Sequence, residues 1–93
     1  MSDPLNLMVL PTPNTNALKF VVGRRLTHGR SQTFRSAEEA VGNPLAAGLF
    51  AIPGVVQVFV LNDFVTVTRD PAAAWESIAG RAEITIREYL AGS

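Results

Sequence analysis

Hydrophobic and polar positions alternate most cleanly in the second half of the chain. Val55 to Leu61 and Phe64 to Thr68 read as two strands joined at Asn62-Asp63, a two-residue connection whose members tolerate positive φ. In the second of these, Phe64, Thr66 and Thr68 share one face, and Val65 and Val67 the other. Asp70-Pro71 ends the sheet. The spacing then changes to that of a helix: Trp75, Ile78, Ala82, Ile86 and Tyr89 recur every third or fourth residue, widened by Ala79 and Leu90. Arg81, Glu83, Arg87 and Glu88 fall mainly on the other side, and Gly92 is placed to cap the end. Trp75, the largest apolar side chain, is expected to be the largest single contributor to the core.

The first half is more broken. Met1 to Asn16 contains Pro4, Pro11 and Pro13; residues 1–10 read as an extended lead-in, and Pro13 to Asn16 as a turn in which Asn bonds its own backbone. Leu18 to Val22 is a short strand stopped by Gly23. After a polar loop, Gln32 to Arg35 reads as a second strand that can hairpin back on the first. Ser36 with Glu39 makes a capping-box pattern ahead of a short helix over Ala37–Val41. Asn43 caps a second helix whose first turn holds Pro44, with Leu45, Leu49 and Ile52 facing the core. The expected order is β-β-α-α-β-β-α. It makes an α+β fold of two layers, a largely antiparallel four-stranded sheet with helices on one face, in a single domain over residues 11–93.

Composition narrows the chemistry. The 93 residues include no cysteine and one histidine, so disulfides, thiolate catalysis and thiolate-ligated metal are unavailable to this chain. His28 alone is a poor nucleus for a metal site, and Glu38-Glu39 point about 100° apart on a helix and cannot converge on a substrate. Gly23 and Gly29 lack the Lys-Ser/Thr of a phosphate loop, and no serine lies in a nucleophile elbow. No catalytic constellation is present, and no metal ligand is assigned. The formal charge of zero argues against a nucleic-acid partner. No apolar run reaches membrane-span length. The start of the chain lacks the basic and apolar regions of a signal peptide, so a cytoplasmic protein with no membrane partner is expected.

The charge is nevertheless uneven. Residues 1–37 set Lys19, Arg24, Arg25, Arg30 and Arg35 against Asp3, and residues 38–93 set three arginines against seven carboxylates, giving balances of +4 and −4. Arginine-rich segments favour carboxylate or phosphate groups. Lys19, Arg24, Arg25, His28, Arg30 and Arg35, on the expected basic hairpin, are therefore candidate docking residues. Asn14 and Asn16, in the polar turn before it, are also candidates.

Several segments in order resemble one family. Pro11-Thr12-Pro13-Asn14-Thr15-Asn16-Ala17-Leu18-Lys19-Phe20 is similar to the "TPNPNALKF" opening of the Nfu/NifU N-terminal domain. Ser36 to Ala40 with Pro44-Leu45-Ala46 resembles its "SAEEA…SPLA" middle, and Leu49 to Val55 with Val58-Phe59 its "LFxIxGVxxVF". Asp63 to Arg69 resembles "DFITVTK", followed by Trp75. The resemblance spans about residues 11–90. It implies an accessory domain of Nfu-type iron–sulfur scaffold proteins, which in the common architecture precedes a second domain whose Cys-x-x-Cys holds the cluster. This chain departs from that architecture in having no cysteine, and more locally at Thr15, where the family often has proline, and at Gly42-Asn43 before Pro44. A protein-held [4Fe–4S] cluster normally needs four thiolates. The implied role is therefore non-catalytic docking of an iron–sulfur scaffold, carrier or apo-target protein. The chain would bind no cofactor itself, and a cluster would enter only through a partner or a separate Cys-x-x-Cys domain. A small anion- or metabolite-binding domain using the basic hairpin, and a purely structural or oligomerisation domain, are the alternatives.

Overall fold

Val58 and Val60 on one strand face Val67 and Val65 on the next, so four β-branched side chains line one face at the centre of the sheet. In the computed structural model, residues 7–27 and 29–91 are described. The elements are β1 (Met8–Pro11), β2 (Ala17–Val21), β3 (Gln32–Phe34), α1 (Pro44–Phe50), β4 (Val55–Leu61), β5 (Phe64–Arg69) and α2 (Trp75–Ala91). The strands form one antiparallel five-stranded sheet in the order β1-β2-β5-β4-β3. The β4–β5 connection is the expected tight turn, with Asn62 at φ 53°. A bulge between Val55 and Gln57 breaks the register near the start of β4.

The α+β class, the antiparallel pairing and the placing of the helices against one face hold, but the four-stranded description does not. A fifth strand, β1, lies within the proline-containing segment and pairs with β2 through Met8↔Val21 and Leu10↔Lys19. The expected hairpin between the two early strands is absent. β2 pairs with β1 and β5, while β3 pairs only with β4 at the opposite edge. The segment between them is held instead by the β4–β5 turn: Leu26 N and Thr27 N donate to the Asn62 carbonyl, and Asn62 N donates to Thr27 Oγ1 at 2.8 Å. The loop thus crosses the end of the sheet rather than folding back on β2.

The expected helix over Ala37–Val41 is a run of turns. Ser36 Oγ does accept from Glu39 N at 3.2 Å, and Glu39 Oε1 accepts from Arg35 N at 2.8 Å. The cap forms without an α-helix to continue it. A single turn fixes several dihedrals for few hydrogen bonds, and Asn43 is extended (φ −127°, ψ 105°) as the residue before proline requires. In that conformation its Oδ1 accepts from Ala46 N at 3.1 Å and starts α1.

Leu45, Ala46 and Leu49 of α1 and Ile78, Ala82, Ile86 and Leu90 of α2 close over Phe20, Val22 and the four valines in a single core. Trp75 is a correction: it is half-buried at the margin, and Phe20, Leu49, Ile78 and Ile86 are the largest fully buried side chains. As the first residue of α2 its indole N–H still needs an acceptor, which it finds in the Thr15 carbonyl at 3.2 Å. The expected cap at Gly92 lies outside the described residues.

Candidate functional site

Gly23, at φ 70°, turns the chain out of the sheet after Val22 N has donated to the Asp63 carbonyl at 2.9 Å. The turn sets Arg24 and Arg25 beside Asn62 and Asp63, around a shallow cleft of about 410 Å³. Thr27 fastens the loop to the β4–β5 turn. It is buried, and its hydroxyl accepts from Asn62 N, so the loop and the hairpin turn move as one piece. The two arginines are not equivalent. Arg24 Nη1 donates to the Leu90 carbonyl at 3.3 Å, satisfying a carbonyl in the last turn of α2 and placing a cation at the negative end of its dipole. Arg25 is exposed and makes no hydrogen bond or ion pair with another described residue. Among the described residues the only ion pair is Arg87 to Glu83 at 3.5 Å. The cleft therefore offers one free guanidinium, suited to a carboxylate or phosphate, tempered by the Asp63 carboxylate on its rim.

The other residues singled out from the sequence do not gather there. Asn14 and Asn16 sit at the opposite end of β2. Asn14 Oδ1 accepts from Asn16 N at 2.9 Å, the local turn bond expected of it. Asn16 Oδ1 accepts from Arg69 Nε at 3.3 Å, and the Asn16 carbonyl accepts from Arg69 N at 2.7 Å. Arg69 also donates to the Ala73 carbonyl at 2.9 Å and lies 5.2 Å from the Trp75 ring, so this end of the molecule is closed by its own polar groups. Lys19 lies mid-strand on the sheet face away from the helices, its Nζ 4.2 Å above the Phe64 ring. Arg30 and Arg35 are exposed on either side of β3, at the far edge of the sheet. His28 lies outside the described residues. The set is thus four separate places, and only Arg24 and Arg25 share a cleft.

Three residues escaped sequence reasoning. Asn62 and Asp63 read as turn residues, but a loop distant in sequence makes them cleft walls. Arg69, which the sequence leaves between the strand ending at Thr68 and Asp70-Pro71, fastens the turn by donating to the Ala73 carbonyl. Among the described residues no group of three His, Cys, Asp or Glu could hold a metal ion. Among those residues no helix is long and apolar enough to cross a membrane.

Comparison with known proteins places the fold in a family. The family described as scaffold protein Nfu/NifU N terminal matches residues 7–93. NifU-like protein 4, mitochondrial, of Arabidopsis thaliana is 40% identical over 65 residues, covering 70% of this chain and 23% of that protein. The human NFU1 iron-sulfur cluster scaffold homolog, mitochondrial, is 37% identical over 81 residues, covering 86% of this chain and 32% of that protein. The chain therefore spans about a quarter to a third of the length of these relatives. The solution structure of a NifU-like protein from Saccharomyces cerevisiae superposes with a TM-score of 0.83 at 26% identity, covering 100% of this chain and 87% of that one. Both relatives are named as mitochondrial proteins, which overturns the expectation of a cytoplasmic protein. That expectation rested on finding neither a secretory signal nor a membrane span, and these tests do not separate cytoplasm from the inside of another compartment.

Proposed function

The chain belongs to the Nfu/NifU N-terminal family, and on that premise we propose that it is a non-catalytic docking domain of iron–sulfur cluster assembly, which binds a scaffold, carrier or apo-target protein and ligates no cluster itself. The observation that carries this reading is the pairing of a family match over residues 7–93 with a sequence that has no cysteine. Thiolates are the ordinary ligands of such clusters, so the chain's part in assembly is to hold proteins rather than iron. Arg25, free in its cleft beside Asp63, is the residue best placed to meet a partner carboxylate. Arg24 supports the cleft while it holds the end of α2.

The test is a pull-down from the native host's extract with the immobilised chain, read for iron–sulfur and Cys-x-x-Cys proteins. Enrichment that falls in Arg25→Glu supports docking through the cleft. Arg25 is the cleaner variant because Arg24→Glu also removes the bond to Leu90. Failure to enrich any cluster-assembly protein, or a stable cluster formed on the chain alone with iron and sulfide, overturns the proposal. A second reading rests on the same cleft: the positive-φ Gly23 and two guanidiniums could hold a small phosphorylated ligand. Asp63 on the rim disfavours it, and a thermal-shift screen of phosphorylated metabolites decides it.

A further inference from the structure

The helices cover one face of the sheet, and among the described residues nothing covers the other. The strand register puts Met8, Leu10, Val21, Phe59, Leu61 and Phe64 on that open face. None of the six belongs to the core or to the apolar residues that border it. Phe59 and Phe64 pair across β4 and β5 with ring centroids 6.1 Å apart. Lys19 rises between β1 and β5 with its ammonium 4.2 Å over Phe64, and no carboxylate among the described residues reaches it. The strands place no acidic residue on this face. The same face also carries Thr33, Gln57, Thr66 and Thr68, so its apolar side chains form a stripe across the end near the β4–β5 turn, beside one cation that lies over a π face, a contact much weaker than an ion pair shielded from water. Continuous apolar surface rimmed by polar residues is the usual mark of an interaction site.

We propose that this open face docks an amphipathic helix of a partner protein, one that carries Asp or Glu along the margin of its apolar stripe. The proposal rests on the docking reading above but assigns the contact to a surface other than the Arg24–Arg25 cleft. Charge selects the occupant. A second copy of this chain, joined face to face, would bring two Lys19 ammoniums into the same apolar contact, whereas a carboxylate supplies the missing counter-charge. Shape selects a helix. Five strands at a spacing of ~4.8 Å make a platform ~19 Å wide, which accommodates a helix ~10 Å across. The edges invite added strands less. β1 ends at Pro11 and β3 has three residues.

The test uses two designed helical peptides with the same leucine stripe, one bordered by Glu and one by Lys, titrated into the isotope-labelled 93-residue chain. The Glu peptide is expected to shift the amide resonances of Val21, Leu61 and Phe64. Lys19→Glu is expected to weaken that binding about tenfold and to reverse the preference towards the Lys peptide, while Lys19→Met removes the preference and keeps the fold. Retained chemical-shift dispersion in each variant shows that it is folded. Equal binding of both peptides overturns the proposal, as do no shifts at all or shifts confined to Gly23–Arg25 and Asn62–Asp63. Concentration-dependent dimerisation that broadens Phe59 and Phe64 also overturns it, in favour of a second copy. Peptide binding is read without any iron–sulfur protein, so its failure is distinct from failure of the pull-down.

Discussion

The two faces of the sheet are made by the same strands and both carry large apolar side chains, yet the fates of those side chains differ. Val58, Val60, Val65 and Val67 are at most 2% exposed beneath α1 and α2. Phe59, Leu61 and Phe64, one step along the same strands, remain partly exposed on the other side. Hydrophobicity alone does not make a core. Burial follows where the helices can lie, and α1, between β3 and β4, and α2, after β5, pack on the same side. The open face keeps large apolar groups without contributing to the core, which fits a surface kept for contact rather than stability.

The largest expected contrast compares phenylalanines. Phe20→Ala removes a fully buried ring and is expected to cost ~3–5 kcal/mol in urea denaturation, a large share of a small domain's stability. A loss below ~1 kcal/mol would mean that the core has been placed on the wrong side of the sheet. Gly54→Ala tests how α2 seats on the covered face. Gly54 has φ 99°, and a methyl there would lie 2.7 Å from Ala73 Cβ and 3.1 Å from Ile78 Cδ1. Strain and overpacking together are expected to cost ~2–3 kcal/mol in thermal unfolding. Full tolerance would show that the turn and α2 separate easily.

A finer comparison uses adjacent residues of β5. Val65→Thr buries an unpaired hydroxyl and is expected to cost ~1–3 kcal/mol, whereas Thr66→Val on the open face is expected to stay within ~0.5 kcal/mol of the parent. Equal effects in chemical denaturation would erase the distinction between the faces. The smallest change in the phenylalanine comparison is expected for Phe59→Ala, ~1 kcal/mol or less, mostly the lost ring pair with Phe64. A cost matching that of Phe20→Ala would show that the open face is structural and would remove the reason to regard it as a docking surface.

The strands and helices that were legible are those whose pattern is local. The alternation through Val65 and Val67, the stripe Ile78, Ala82 and Ile86, and the Asn43-Pro44 helix start each depend on neighbours a few residues away. What misled was adjacency. Leu18 to Val22 and Gln32 to Arg35 follow one another in sequence, and a hairpin is the shortest way to pair them. Thr27 and Asn62 override it through a hydrogen bond between residues 35 positions apart, and β5 and β4 fill the space between the two strands. The candidate site divided for the same reason. Counting charges along residues 19–35 gathers Lys19, Arg24, Arg25, Arg30 and Arg35, but Lys19 lies mid-β2 on the open face and a crossing loop carries Arg30 and Arg35 to the far edge.

By itself the sequence determined the absence of thiolate chemistry, the two helices that form the second layer, the alternation of the central strands and the resemblance to a family, because residue type and short-range spacing suffice for each. Tertiary structure alone decided that Arg24 holds the end of α2 while Arg25 stays free, that Trp75 fastens the Asn14–Asn16 turn from the margin of the core, and that Lys19 lies over Phe64 on the open face. Each of these depends on which distant backbone carbonyl, ring or strand occupies the space beside a side chain, and that is settled only when the whole sheet assembles.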